Sequence, residues 1–114
     1  MEDCIFCKIA HGEIPSSKVY EDDQVVAFND LNPQAPVHVL IIPKAHYAGM
    51  NDAGEMPEAL LAGLLRAAAK VAHQLGLDKT GYRIVSNCGA DACQSVQHLH
   101  IHLLGGAKLS EKMS

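Results

Sequence analysis

Tryptophan is absent, and three tyrosines with two phenylalanines are the only aromatic residues in a chain of 114. Recognition by stacking on an aromatic platform therefore has little material to work with. No run of lysine or arginine occurs, and nine basic against thirteen acidic residues leave a formal net charge of −4. The sequence-independent grip on phosphates that nucleic-acid binders need is missing, so neither nucleic acid nor an anionic membrane is an expected partner. Apolar runs such as Val39 to Pro43 fall far below the roughly 20 residues of a membrane span. The chain does not open with a charged segment followed by an apolar core, which makes a cytoplasmic location the expectation. Four cysteines without a secretory leader argue for reduced thiols. A chain of this length buries roughly 65% of its unfolded surface, enough for one domain over 1–114 and not for two.

What is present reads as about five strands and one long helix. Cys4 to His11 carries Ile5, Phe6 and Ile9 at helix-like spacing and runs into Gly12, which predicts a short N-terminal helix or turn. Val19 to Tyr20 and Gln24 to Asn29, separated by Glu21, Asp22 and Asp23, predict a hairpin. Val37 to Pro43 is β-branched, bounded by prolines and central in a sheet. Between about Glu55 and Leu75, Leu60, Leu61, Leu64, Leu65, Ala68, Val71, Ala72 and Leu75 follow the spacing of an amphipathic helix, with Pro57 near its start and Gly76 beyond its end. Arg66, Lys70 and His73 fall on its solvated side, and His11 is expected in solvent as well. Tyr82 to Ser86 and His98 to Leu104 are two further strands, joined by a loop from Asn87 to Gln97. Alternating βα units are absent, so the fold class is α+β with a mostly antiparallel sheet.

The chemistry concentrates in the last strand. His98, His100 and His102 alternate with Leu99, Ile101 and Leu103, and a period of two puts three imidazoles on one face and three aliphatics on the other. With seven histidines in the chain, a chance triple of this kind is on the order of a few per cent. Two chemistries suit it. Three neutral imidazoles ligate zinc and leave a fourth position for a reactive water. Alternatively, one imidazole attacks phosphorus while its neighbours hydrogen-bond the phosphate oxygens and leaving group. His38 lies on the opposite strand face from Val37, Val39 and Ile41 and reaches the triad if the two strands are neighbours, although a strand histidine also serves purely structural roles. Gly89, Ala90 and Ala92 let backbone N–H groups approach an anion, or simply form a surface turn. Cys4 and Cys7 have zinc-knuckle spacing; bare thiols are the alternative, and a redox pair would need a preceding strand that a motif starting at residue 4 lacks.

The run HLHIHLL resembles the motif of the histidine triad superfamily of nucleotide-binding hydrolases and transferases. The resemblance extends to NCGADACQSV, APVHVLIIPKAH and VVAFNDLNPQAP, covering roughly residues 4 to 106, and is nearest to the Hint-type nucleoside phosphoramidases, also described as protein kinase C inhibitor-like proteins. It implies a homodimer that binds purine nucleotides and hydrolyses adenosine 5′-phosphoramidates to AMP and amine, with His100 as the nucleophile forming a nucleotidyl-histidine intermediate. By the same resemblance His102 and His38 contact phosphate oxygens or leaving group, Ser95, Gln94 and Val96 lie in the loop over the phosphate with Gly89, Asn87 approaches ribose or phosphate, and Asp30 and Leu31 hold ribose and base. It completes the Cys4 and Cys7 pair with His46 and His98 as a closed, structural zinc site, making residues 1–14 a clip that stiffens the catalytic strand; the chemical step itself needs no cofactor. Two departures stand out. Cys93 occupies a position where the family usually has a small residue, often glycine, and the tail Ala107 to Ser114 lacks the Trp-Pro ending linked to leaving-group preference across a dimer. Alternatives to be separated by experiment are a diadenosine polyphosphate hydrolase, a nucleotide-binding regulator with incidental hydrolysis, and a zinc hydrolase.

Overall fold

A computed structural model describes residues 3–112, so the outermost two residues of the N-terminal segment and of the tail lie outside the description. Helix α1 (Ile5–Ala10) is followed by strands β1 (Lys18–Glu21), β2 (Val25–Asn29) and β3 (Val37–Pro43), helix α2 (Glu58–Gln74), and strands β4 (Tyr82–Val85) and β5 (Ile101–Gly105). The strands form one sheet in the order β1-β2-β3-β5-β4, and every neighbouring pair is antiparallel. The expected α+β class and centrally placed Val37–Pro43 strand are found. The last strand is inserted between β3 and β4, which brings the triad beside His38: the register sets His38 opposite Leu104 and Leu40 opposite His102.

The hairpin turn is made by Asp22, whose Oδ1 accepts from the backbone N–H groups of Gln24 and Val25 at 2.8 and 2.9 Å. Val25, Ala27, Val39, Ile41 and Leu103 point to one face of the sheet, where Leu60, Leu64, Ala68 and Val71 of α2 cover them. The opposite residues Val26, Phe28, Leu40 and Ile42 point to the other face, where α1 lays down Phe6, Ile9 and Ala10. Period two in the strands thus sorts the chain into two apolar layers.

Three differences from the sequence expectation have local causes. The long helix begins after Pro57, whose ψ of 137° is extended; the stretch before it, Met50–Glu55, is a separate 3-10 segment. Leu65 and Leu75 are 55% and 40% exposed, because the buried stripe runs through Leu60, Leu64, Ala67, Ala68, Val71 and Ala72, and Leu65 stands one helical step round from it. Strand β5 starts at Ile101, not at His98. Extending its register would set Leu99 against Pro43, which has no N–H to give. Leu99 N–H instead donates to the Tyr47 carbonyl at 2.6 Å. Beyond α2, Gly76 at φ +76° reverses the chain and drops Leu77 onto Gly105, where a Cβ would lie 2.9 Å from a Leu77 methyl.

Candidate functional site

Where residues 98–100 leave the sheet, backbone groups that no longer serve a ladder bond to side chains. The Pro43 carbonyl lies 2.8 Å from His98 Nε2 and the His98 carbonyl 2.7 Å from His100 Nδ1. A carbonyl oxygen only accepts, so each of these ring nitrogens carries the proton. The other nitrogen of each ring therefore presents a lone pair: Nδ1 in His98, Nε2 in His100. On the neighbouring strand the Gln34 backbone N–H donates to His38 Nδ1 at 3.0 Å. Neutral His38 must then carry its proton on Nε2, which stands 2.9 Å from His102 Nδ1 and 3.4 Å from an Asp30 carboxylate oxygen. His102 accepts through Nδ1 and keeps its own proton on Nε2. Three main-chain groups, one N–H and two carbonyls, thus set the tautomers of all four imidazoles.

Charge is kept off three of these rings. Burial, followed by repulsion from His100 and His38, holds His102 down at about 4, against the pull of Asp30. Burial also lowers His38, opposed by Asp30, and brings His98 to about 4 despite its bond to Pro43. Phe6 packs edge-on against both His98 and His100, with ring centroids 6.0 and 5.2 Å away, so apolar contact and position come from the same side chain.

His100 and His102 line a cavity of about 270 Å³ whose other walls are mainly apolar, from Phe6, Ile9, Ile14, Phe28 and Leu40, with Ser16, Ser17 and Asn29 among them. Its rim carries the expected Asp30, Leu31, Ser95 and Val96. Leu31 is 94% exposed, an unfilled apolar contact at the mouth. His38 and Asn87 sit instead at a second cavity of about 340 Å³ on the far side of His102. Gly89 and Gln94 line neither. The Gln94 amide is spent inside the loop, accepting from Gly89 N–H at 2.9 Å and donating to the Ala48 and Val96 carbonyls at 2.7 and 2.9 Å. It therefore fixes the path on which Ser95 and Val96 are carried. Cys93 in that loop has φ +60°, the left-handed region, which explains why glycine suits the position and why a cysteine there costs on the order of 1 kcal/mol. Phe6, Ile9, Ile14 and the Gln34 N–H escaped the sequence reading; for α1 the signal was present in its apolar spacing.

A second cluster lies behind the triad. Cys4, Cys7, His46 and His98 offer ligand atoms that all fall within 4.8 Å of one another. His98 Nδ1 is 3.3 Å from Cys4 Sγ, 3.5 Å from Cys7 Sγ and 3.2 Å from His46 Nδ1, and Cys7 Sγ is 3.3 Å from His46 Nδ1. Bonds of about 2.0 to 2.3 Å give a zinc tetrahedron edges of about 3.3 to 3.8 Å, so the donor set and the spacing both fit. Burial and the adjacent Cys4 push the Cys7 thiol up to about 11, so a cation must displace its proton. Asp30, His38 and His102 also converge. There the Nε2 of His38 carries a proton, so that ring turns no lone pair toward the other two groups.

A sequence profile described as the HIT domain matches residues 11–109. A purine nucleoside phosphoramidase from Escherichia coli is 44% identical over 113 residues, covering 99% of this chain and 95% of its own. A 14 kDa zinc-binding protein from Brassica juncea is 51% identical over 110 residues, covering 95% and 96%. The crystal structure of a HIT family hydrolase from Legionella pneumophila superposes with a TM-score of 0.92 at 49% identity, over 96% of this chain and 97% of that one.

Unfolded imidazoles take up protons near 6.5, whereas His98 and His102 resist until about 4. Protons therefore bind the unfolded chain preferentially between these values, and the thermal midpoint of the metal-free protein should fall as pH is lowered from 6.5 toward 4. A midpoint that is flat or rises across that window would contradict the neutral, buried assignment. On the profile match and the relatives together, the chain belongs to the HIT-domain family.

Proposed function

We infer that this protein is a purine nucleoside phosphoramidase, hydrolysing adenosine 5′-phosphoramidates to AMP and an amine. Family membership and a phosphoramidase relative support a nucleotide hydrolase. The observation that carries the finer reading is the hydrogen bond from His100 Nδ1 to the His98 carbonyl, which turns the Nε2 lone pair into a nucleophile at the wall of the cavity. A neutral imidazole is a good nucleophile near pH 7 and a poor one once protonated. The apolar walls suit a purine, and Asp30 at the rim suits the ribose hydroxyls. The Nε2 of His100 bonds to the α-phosphorus as the phosphorus–nitrogen bond breaks, and the amine leaves with a proton from solvent. The Nε2–H of His102 and the Ser95 hydroxyl hydrogen-bond the phosphoryl oxygens, and water then splits the nucleotidyl-histidine. His38 positions His102 from behind.

Replacing His100 by Ala should lower kcat/KM for adenosine 5′-phosphoramidate at least about a thousandfold, a loss of roughly 4 kcal/mol of transition-state stabilisation. Chromatographic measurement of AMP release checks it, and turnover equal to the parent's would sink the mechanism.

Zinc at Cys4, Cys7, His46 and His98 is part of the same reading, in a structural role, supported by the fit of the four donors and by zinc-binding relatives. Such a metal joins the N-terminal segment to the catalytic turn and leaves the reacting phosphorus to the imidazoles. At a thousandfold excess of metal over its dissociation constant the linkage is worth about 4 kcal/mol. Chelation should therefore lower the thermal midpoint by several degrees, and an unshifted midpoint on removal of a measured equivalent of zinc rejects the structural role. The homodimer has support in β4, an edge strand with Tyr82 and Ile84 each 43% exposed. A light-scattering mass of a single chain at micromolar concentration would refute it.

A further inference from the structure

His102 stands between two cavities. The smaller is the one assigned above to the nucleotide; the larger, about 340 Å³, is reached by His102 but not by His100. In a displacement at phosphorus the nucleophile and the leaving group lie roughly in line on opposite sides. With the nucleophile on the nucleotide side of His102, the departing group is directed into the larger cavity. Its walls are apolar at Val85, Leu104 and the tail residue Leu109, with the Gln34 and Asn87 amides at hand. Among the lining residues there is no carboxylate, and Arg83 is the one permanent cation.

Arg83 is half-buried in β4, and one donor, Nη2, is spent on the Ser110 carbonyl at 2.7 Å. A guanidinium has five N–H donors in a planar fork. Among the described residues no Asp or Glu pairs with it. The register puts Val85 opposite His102 and Arg83 opposite Leu104, two residues along the strand, or roughly 7 Å. An anionic group one or two carbons from the departing nitrogen spans that gap, with the side-chain length of Arg83 taking up the rest. One guanidinium matches one carboxylate bidentately. A polyphosphate brings several charges, which a single cation in this pocket leaves unmatched.

We propose that Arg83 is the specificity-determining residue of a leaving-group subsite, and that it selects amines bearing a carboxylate, which makes phosphoramidates of AMP with amino acids the preferred substrate class. This rests on the phosphoramidase reading. The bond broken remains the phosphorus–nitrogen bond, and Arg83 takes no part in the proton or electron movements.

The test uses two adenosine 5′-phosphoramidates, one of glycine and one of glycinamide, which differ in the charge at the far end of the amine. Because the two amines differ in basicity, the quantity to read is how their kcat/KM ratio changes between parent and variant, which cancels intrinsic reactivity and any general loss of activity. In Arg83→Gln the ratio of glycine to glycinamide substrate should fall about tenfold or more, chiefly through KM; Arg83→Lys, which keeps the charge without the fork, should retain part of the preference. An unchanged ratio in Arg83→Gln, with both substrates slowed alike, means that Arg83 only pins the tail and overturns the inference. If Arg83→Gln does not fold, free glycine and glycinamide compared as inhibitors of the parent decide it, glycine being expected to compete more strongly and equal weakness overturning the proposal. Parent protein that turns over neither substrate refutes the phosphoramidase reading itself, and this subsite with it. A parent that instead cleaves diadenosine polyphosphates well, with that activity lost in Arg83→Gln, assigns the subsite to phosphate and overturns the carboxylate.

Discussion

The hydrogen bond of 2.7 Å between His100 Nδ1 and the His98 carbonyl depends on a carbonyl that strand pairing has released. Had β4 and β5 stayed paired back to His98, that oxygen would have faced Gly89, whose N–H instead donates to Gln94 Oε1, and the ring of His100 would have lost the acceptor that sets its tautomer. On the β3 side the pairing also stops, where Pro43 brings no N–H to the position opposite Leu99. Its own carbonyl then takes the proton of His98 Nε2 and turns the opposite nitrogen toward Cys4, Cys7 and His46. The end of pairing on the two sides of the last strand thus orients the nucleophile from the β4 side and a metal ligand from the β3 side.

The rest of the molecule holds that turn in place from two sides. Beneath it, Leu99, Ile101 and Leu103 are buried in the layer covered by α2, the first two between successive histidines and the third just after the last. Above it, Phe6 fills the space beside the rings of His98 and His100 and simultaneously meets Phe28 at 5.6 Å. The buried polar rings are tolerated because each of their main-chain bonds is made and because all three shifted imidazoles stay neutral. A dry surround, fixed tautomers and a depressed readiness to protonate are three expressions of the same packing.

The alternation at 98 to 102 and the opposite-face placement of His38 were readable from residue type and period, since period two survives any detail of pairing; that the two strands are neighbours was a condition of that reading, and the register meets it. The apolar stripe of α2 was readable too, although Leu65 and Leu75 fitted its spacing and are exposed, because an apolar residue at the stripe's margin is not distinguished by spacing from one at its centre. What sequence could not supply were the main-chain partners. Nothing in the identity of Gln34 announces that its N–H meets His38, and nothing in Arg83 announces that it faces the same cavity as His102. Those facts depend on register and on the path of connections, which local pattern does not encode. Cys93 lies between the two cases: its departure from a small residue was visible, and the left-handed backbone that gives the departure meaning was not.

The docking of α1 carries a consequence for how distant parts of the chain are joined. Cys4 and His98 are 94 positions apart, and the floor on which Phe6 rests includes residues of both β3 and the turn before β5. Of the surface that receives this segment, Val26, Phe28, Leu40 and Ile42 lie within residues 25–43, whereas His98 and His100 come from near the other end of the chain. Phe6 and the two thiols therefore gain their full set of neighbours only when residues far apart in the sequence have come together, and α1 joins an early part of the sheet to the turn that carries the triad.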